Sequence, residues 1–147
     1  MIKKILQTIF KPETVYAHCD VPCGIYDPSS AQIAAKTVKT MVTKILDLKK
    51  PEDAYNIEYL NTVNRMVATK EEHAQICKEQ ILILWTDYFK PENIANFPNI
   101  HETFWKAAKL CTKAKQSVSL QVAEDLVSIV SEIAQMFNKA EEAKKLA

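Results

Sequence analysis

The sequence predicts an all-α protein, an up-and-down antiparallel four-helix bundle behind an irregular N-terminal hook. Apolar residues recur at three-to-four spacing in four long stretches, and no segment alternates with period two. Short connections join the stretches, which favours antiparallel neighbours. The 147 residues include a single glycine, Gly24, which falls outside all four stretches. Helix-rich chains dispense with glycine readily, because it weakens a helix interior.

The first stretch, about Ser29 to Leu48, carries Ala31, Ala34, Ala35, Val38, Met41, Val42, Ile45 and Leu48 at helical spacing. Asp27-Pro28-Ser29-Ser30 offers capping groups and a proline at its start. The Lys49-Lys50-Pro51 junction ends it and begins the second helix at Pro51. That helix runs to about Tyr88 through Ile57, Leu60, Val63, Val67, Ala74, Ile76, Cys77, Ile81 and Leu84. Lys90-Pro91 stops it, since the residue before a proline is pushed out of the α region. The third helix starts near Pro98 and carries Ile100, Phe104, Ala107, Ala108 and Cys111. The fourth spans about Val118 to Ala143, with Val122, Leu126, Ile129, Val130, Ile133, Met136, Phe137 and Ala140. The charged, alanine-rich tail from Lys139 to Ala147 is expected to fray.

Composition narrows the function classes. The chain is 48% hydrophobic and 25% charged, ordinary for a folded domain and unlike a disordered one. A formal net charge of +1 gives no broad nucleic-acid footprint. No run reaches the roughly 18 apolar residues of a membrane span. Residues 1–17 read as a leader. Lys3 and Lys4 precede the apolar Ile5–Phe10, but Gln7 and Thr8 interrupt it and Lys11-Pro12 ends it. That stretch falls short of the roughly 7–15 apolar residues of a secretory signal, so the cytoplasm is the expected location. The domain reading is a leader over 1–17, a metal-binding hook over 18–28 and a bundle over 29–147.

His18-Cys19-Asp20-Val21-Pro22-Cys23-Gly24 is where the chemistry concentrates. One imidazole and two thiolates lie within six residues, with Pro22 fixing φ and Gly24 permitting a turn. Such donors select late or soft metals rather than magnesium or calcium. The side chains supply three ligands. A free amine at His18 extends the set, because the amine, the Cys19 amide nitrogen and the Cys19 sulfur form two fused five-membered chelate rings. Cys23 sulfur then completes a plane with the His18 imidazole above it. This tetragonal site suits nickel(II) or copper(II) better than tetrahedral zinc. It exists only if the bond between Ala17 and His18 is cut, which gives the leader a purpose. The alternative is a thiol-redox or zinc/copper-binding helical protein that uses the same cysteines with the leader attached.

The segment from His18 through Pro28 resembles the nickel hook of nickel superoxide dismutases. A second block, Leu84-Trp85-Thr86-Asp87-Tyr88-Phe89-Lys90-Pro91, is similar to that family at the matching distance downstream. The resemblance implies a superoxide dismutase converting superoxide to dioxygen and hydrogen peroxide. It implies one nickel per chain, cycling between +2 and +3, held by the amine and imidazole of His18, the amide and thiolate of Cys19 and the thiolate of Cys23. It also implies a leader-specific protease and a homohexamer of four-helix bundles. Tyr26 and Tyr88 would line the approach and order water or peroxide, and Asp20 would serve hydrogen bonds within the hook. Lys90 is the candidate for drawing in a small anion.

One departure stands out. In the family pattern a glutamate on the first helix and an arginine on the second hold the axial histidine, and the matching positions here are Ala34 and His73. His73 is therefore the candidate for supporting the His18 ring. Its i,i+4 spacing to Cys77 reads as ordinary packing, and Cys111 as a small buried hydrophobe. Trp85 and Trp105 read as core or interface anchors, and His101 as partly exposed.

Overall fold

The computed structural model describes residues 24–53 and 55–146. The leader and the hook residues His18, Cys19, Asp20 and Cys23 lie outside them. Among the described residues the chain is all-helical: α1 Ser29–Asp47, α2 Ile57–Ile83, a π-helical turn Leu84–Tyr88, α3 Pro91–Ile94, α4 Ile100–Gln116 and α5 Leu120–Leu146. Four long helices form a ring in which α1 touches α2 and α5, while α4 touches α2 and α5. Lys78 meets Thr112 at 3.3 Å and Lys115 meets Gln75 at 3.1 Å, so α2 and α4 run antiparallel.

α1 starts as its sequence indicates, with the Asp27 carboxylate accepting the Ser29 N–H at 2.7 Å. The second helix departs from expectation. It begins at Ile57, not Pro51. Asp53 accepts the Tyr55 N–H at 2.9 Å and Asn56 accepts the Tyr59 N–H at 2.9 Å, so short polar side chains hold a turn and then a cap. A short helix, α3, follows Lys90, whose N–H is accepted by the Asn93 side chain at 2.8 Å. α4 begins at Ile100, two residues after the expected Pro98. The tail does not fray at Lys139; α5 continues to Leu146, with Ala140 only 4% exposed.

The apolar series of α2 divides in two. Ala74, Cys77, Ile81 and Leu84 are buried as expected, whereas Ile57 and Leu60 are exposed. The connection between α4 and α5 lies level with Lys70, whose ammonium reaches Ser117. Residues before Lys70 on α2 therefore project beyond the α4–α5 connection, and α1 is the helix most closely packed on α2.

Lys70 was not singled out by the sequence. It is 2% exposed, and its ammonium donates to the carbonyls of Ala114 at 2.7 Å, Lys115 at 2.8 Å and Ser117 at 3.0 Å. Those carbonyls belong to the end of α4, where four groups lack intrahelical partners and the helix dipole is negative. Burial pulls the pKa of this ammonium down, and the neighbouring Glu71 charge opposes it.

The opposite end of the bundle is aromatic. Phe89 packs edge-on against Tyr88, Phe97 and Phe104, and Trp85 stacks on Phe104 at 5.8 Å between centroids. The π turn explains this clustering. The Phe89 N–H bonds to the Leu84 carbonyl at 3.0 Å, an i to i+5 closure that widens the helix by one residue. Tyr88 and Phe89, adjacent in sequence, are both buried as a result.

Candidate metal centre

Gly24 follows the last hook cysteine directly and takes a φ of 70°, the left-handed region that favours glycine. Beyond it residues 25–27 carry no regular secondary structure and lead through a turn at Pro28 into α1. The single glycine thus marks the junction between hook and bundle. A cavity of about 150 Å³ opens beside it, lined by Gly24, Tyr26, Asp87, Tyr88, Lys90 and Lys144. A water molecule occupies about 30 Å³ in the liquid, so the cavity suits a diatomic anion with a few waters.

Both candidate tyrosines meet here. Tyr26 lies edge-on to Tyr88 with ring centroids 5.6 Å apart, and Tyr88 packs on Phe137 at 4.4 Å. The Tyr88 hydroxyl donates to Glu141 at 2.6 Å. Burial, then the bond to Glu141 and its charge, pushes the Tyr88 phenol well above the usual tyrosine range. Lys144 donates to the same carboxylate at 2.8 Å and its ammonium lies 4.1 Å from the Tyr88 ring centroid. Lys144 and then Tyr88 hold the Glu141 carboxyl below its ordinary value. Glu141 and Lys144 were missed by sequence reasoning. Their i,i+3 spacing signals no more than a surface ion pair.

His73 lies on α2, two turns before Gln80, which shares a separate cavity with Tyr26 and Ser30. Its Nδ1 pairs with the Thr69 carbonyl at 2.9 Å, which leaves Nε2 as the nitrogen able to reach another group. Ala34, the position matching the family glutamate, is 1% exposed and part of the apolar core.

The remaining residues fall into place by burial. Cys77 and Cys111 are fully buried free thiols on facing helices. The hydrogen bond to Cys111, then burial, pushes the Cys77 thiol above its ordinary range. Trp85 is half-buried and its indole N–H donates to His101 Nδ1 at 2.9 Å, with His101 exposed as expected. Trp105 is not a core anchor in the single chain. It is 55% exposed beneath the Lys109 ammonium, because it follows the buried Phe104 by one position and points about 100° away. Among the described residues, no group of three or more His, Cys, Asp or Glu side chains is placed to hold a metal ion. The candidate donors His18, Cys19 and Cys23 lie outside the described residues. Two thiolates, an amide nitrogen, an amine and an imidazole fit a late first-row metal. Also among the described residues, no helix is long and apolar enough to cross a membrane.

The comparisons with known proteins point to one family and do not favour the thiol-redox or zinc/copper alternative. A family profile described as nickel-containing superoxide dismutase matches residues 13–141. The chain is 31% identical over 140 residues to superoxide dismutase [Ni] of Streptomyces coelicolor, covering 95% of this chain and all of that one. The corresponding enzyme of Streptomyces seoulensis is 32% identical over the same length. Among solved structures, native nickel superoxide dismutase superposes with a TM-score of 0.73 at 29% identity, over 84% of this chain and 99% of that one. The crystal structure with nickel ligation corresponding to the oxidised state gives 0.74 at 30% identity, over 85% and 99%. With the profile spanning most of the chain and a helical bundle in common, this protein belongs to the nickel-containing superoxide dismutase family.

Proposed function

We propose that this protein converts superoxide to dioxygen and hydrogen peroxide at one nickel ion per chain, held by His18, Cys19 and Cys23 once His18 is the first residue. The observation that carries the reading is the His-Cys-x-x-x-Cys-Gly hook in a chain of this family, joined through Gly24 to a small cavity with cationic side chains. Nickel, when bound, supplies one-electron exchange between its +2 and +3 states. The chain's own groups do the rest. The His18 amine and imidazole and the Cys19 amide and thiolate, with the Cys23 thiolate, donate strongly and favour the higher state. Tyr26 and Tyr88 order water and peroxide at the mouth, and Asp20 braces the hook through hydrogen bonds. His73 supports the His18 ring through Nε2, directly or through water, in place of the glutamate and arginine of the family pattern. A leader-specific protease removes residues 1–17, and the mature chains assemble as a homohexamer in the cytoplasm.

The test is N-terminal sequencing with metal analysis of the native protein. The expected result is a first residue of His18 and about one nickel per chain. A variant that blocks cleavage between Ala17 and His18 is expected to lack activity, because an internal His18 has no amine. Full activity in that variant overturns the amine ligand. A correctly cut protein that stays metal-free and inactive after nickel supply overturns the function.

A further inference from the structure

The last turn of α5 reaches the cavity at the hook junction, and neither hook chemistry nor family membership gives it a role. Glu141 accepts the Tyr88 hydroxyl at 2.6 Å and the Lys144 ammonium at 2.8 Å, and Lys144 caps the Tyr88 ring at 4.1 Å. Tyr88 is fixed on its other faces by Tyr26 and Phe137, so the carboxylate governs where its hydroxyl points. We propose that this turn is part of the superoxide site, with Glu141 the positioning residue for the Tyr88 hydroxyl and Lys144 the cation that admits the anion. The inference rests on the superoxide reading above and adds to it two residues from the chain's far end.

The charge balance explains why both are needed. Asp87 and Lys90 line the cavity with opposite charges, and Glu141 adds a second negative charge behind Tyr88. Without Lys144, these four groups would lose a cation and leave a net negative rim that repels superoxide. With it, Glu141 can orient a phenol without closing the site to an anion. Lys145 contributes a weaker field at the same carboxylate. Lys144 lies close enough to act on an entering anion, since it lines the cavity itself.

Two measurements test the proposal separately. The first is the superoxide consumption rate of the nickel-loaded protein against ionic strength. Lys144→Gln is expected to lower the low-salt rate roughly threefold and Lys144→Glu further, with both rates converging on wild type in high salt as screening removes the field. Lys144→Arg restores the rate. Variants that match wild type at every ionic strength overturn the role of Lys144. So does a loss of rate that salt leaves unchanged or that arginine fails to restore.

The second measurement is the phenol titration of metal-free protein by ultraviolet absorbance, with Tyr88→Phe identifying the Tyr88 signal. Glu141→Gln is expected to bring that titration down toward the ordinary tyrosine range, while the melting temperature stays near wild type. An unchanged titration overturns the positioning role of Glu141. A wild-type protein inactive with nickel defeats the superoxide reading and the assignment of Lys144 with it, and the phenol titration still decides Glu141.

Discussion

The two ends of the bundle bury polar groups by opposite means. At the hook end, aromatic rings do the burying and leave polar tips at a cavity: the hydroxyl of Tyr88, with Lys90 and Lys144 beside it. At the other end, a lysine is taken into the protein and its charge is spent on three carbonyls of α4. Rings provide apolar area with a polar edge, so that end can stay tightly packed and still face a small anion. A buried ammonium offers nothing to solvent; its value lies in tying α2 to the end of α4. The first end is arranged for chemistry and the second for closure.

The comparison can be broken hardest at the aromatic end. Phe104, fully buried between Trp85 and Phe89, is expected to cost about 3–5 kcal/mol when replaced by alanine, through lost transfer energy and a cavity. Chemical denaturation with an unchanged slope would register it. Next comes Lys70→Met, which keeps the aliphatic stem and leaves three carbonyls without their cation, at roughly 2–3 kcal/mol. A loss below about half a kcal/mol would mean that water replaces the ammonium and that the clasp is dispensable. The smallest effect belongs to the projecting part of α2. Ile57→Ser alters a side chain that is 77% exposed and is expected to move the stability of the isolated chain by less than about 0.5 kcal/mol. A larger change in the assembled protein than in the monomer would sharpen the contrast, by showing that this overhang is covered in an oligomer.

These differences mark what could be read from the residues. The four long helices were legible because Ala31, Val38, Ile81, Phe104, Leu126 and Ile133 sit in stretches with helical spacing, and the structure buries all six. The junction at Gly24 was legible because a lone glycine after a cysteine pair has few other reasons to be there. Periodicity failed where coverage depends on a distant element. Ile57 and Leu60 keep the same spacing as Ile81, yet the α4–α5 turn stops short of them. The start of α2 was misplaced because Pro51 signals a first helical turn as readily as a loop, and Asn56 provided the cap. Lys70 gave no local signal, since its acceptors lie 44 or more residues away, and Glu141 showed only its ion pair with Lys144 while its bond to Tyr88 spans 53 residues. The hook ligands His18, Cys19 and Cys23 lie outside the described residues, and that ligand set rests on donor chemistry and likeness.

Lys70 also sets an order of events. Its three acceptors lie 44, 45 and 47 residues further along the chain, so they emerge from the ribosome after α1 and α2 do. Until then the ammonium has water as its partner and no reason to give it up. The first helical hairpin therefore waits with one end open, and the emergence of residues 114–117 is the earliest moment at which it can seal. A chain cut short before residue 114 would lack all three acceptors, and burying Lys70 in it would leave a charge with no partner.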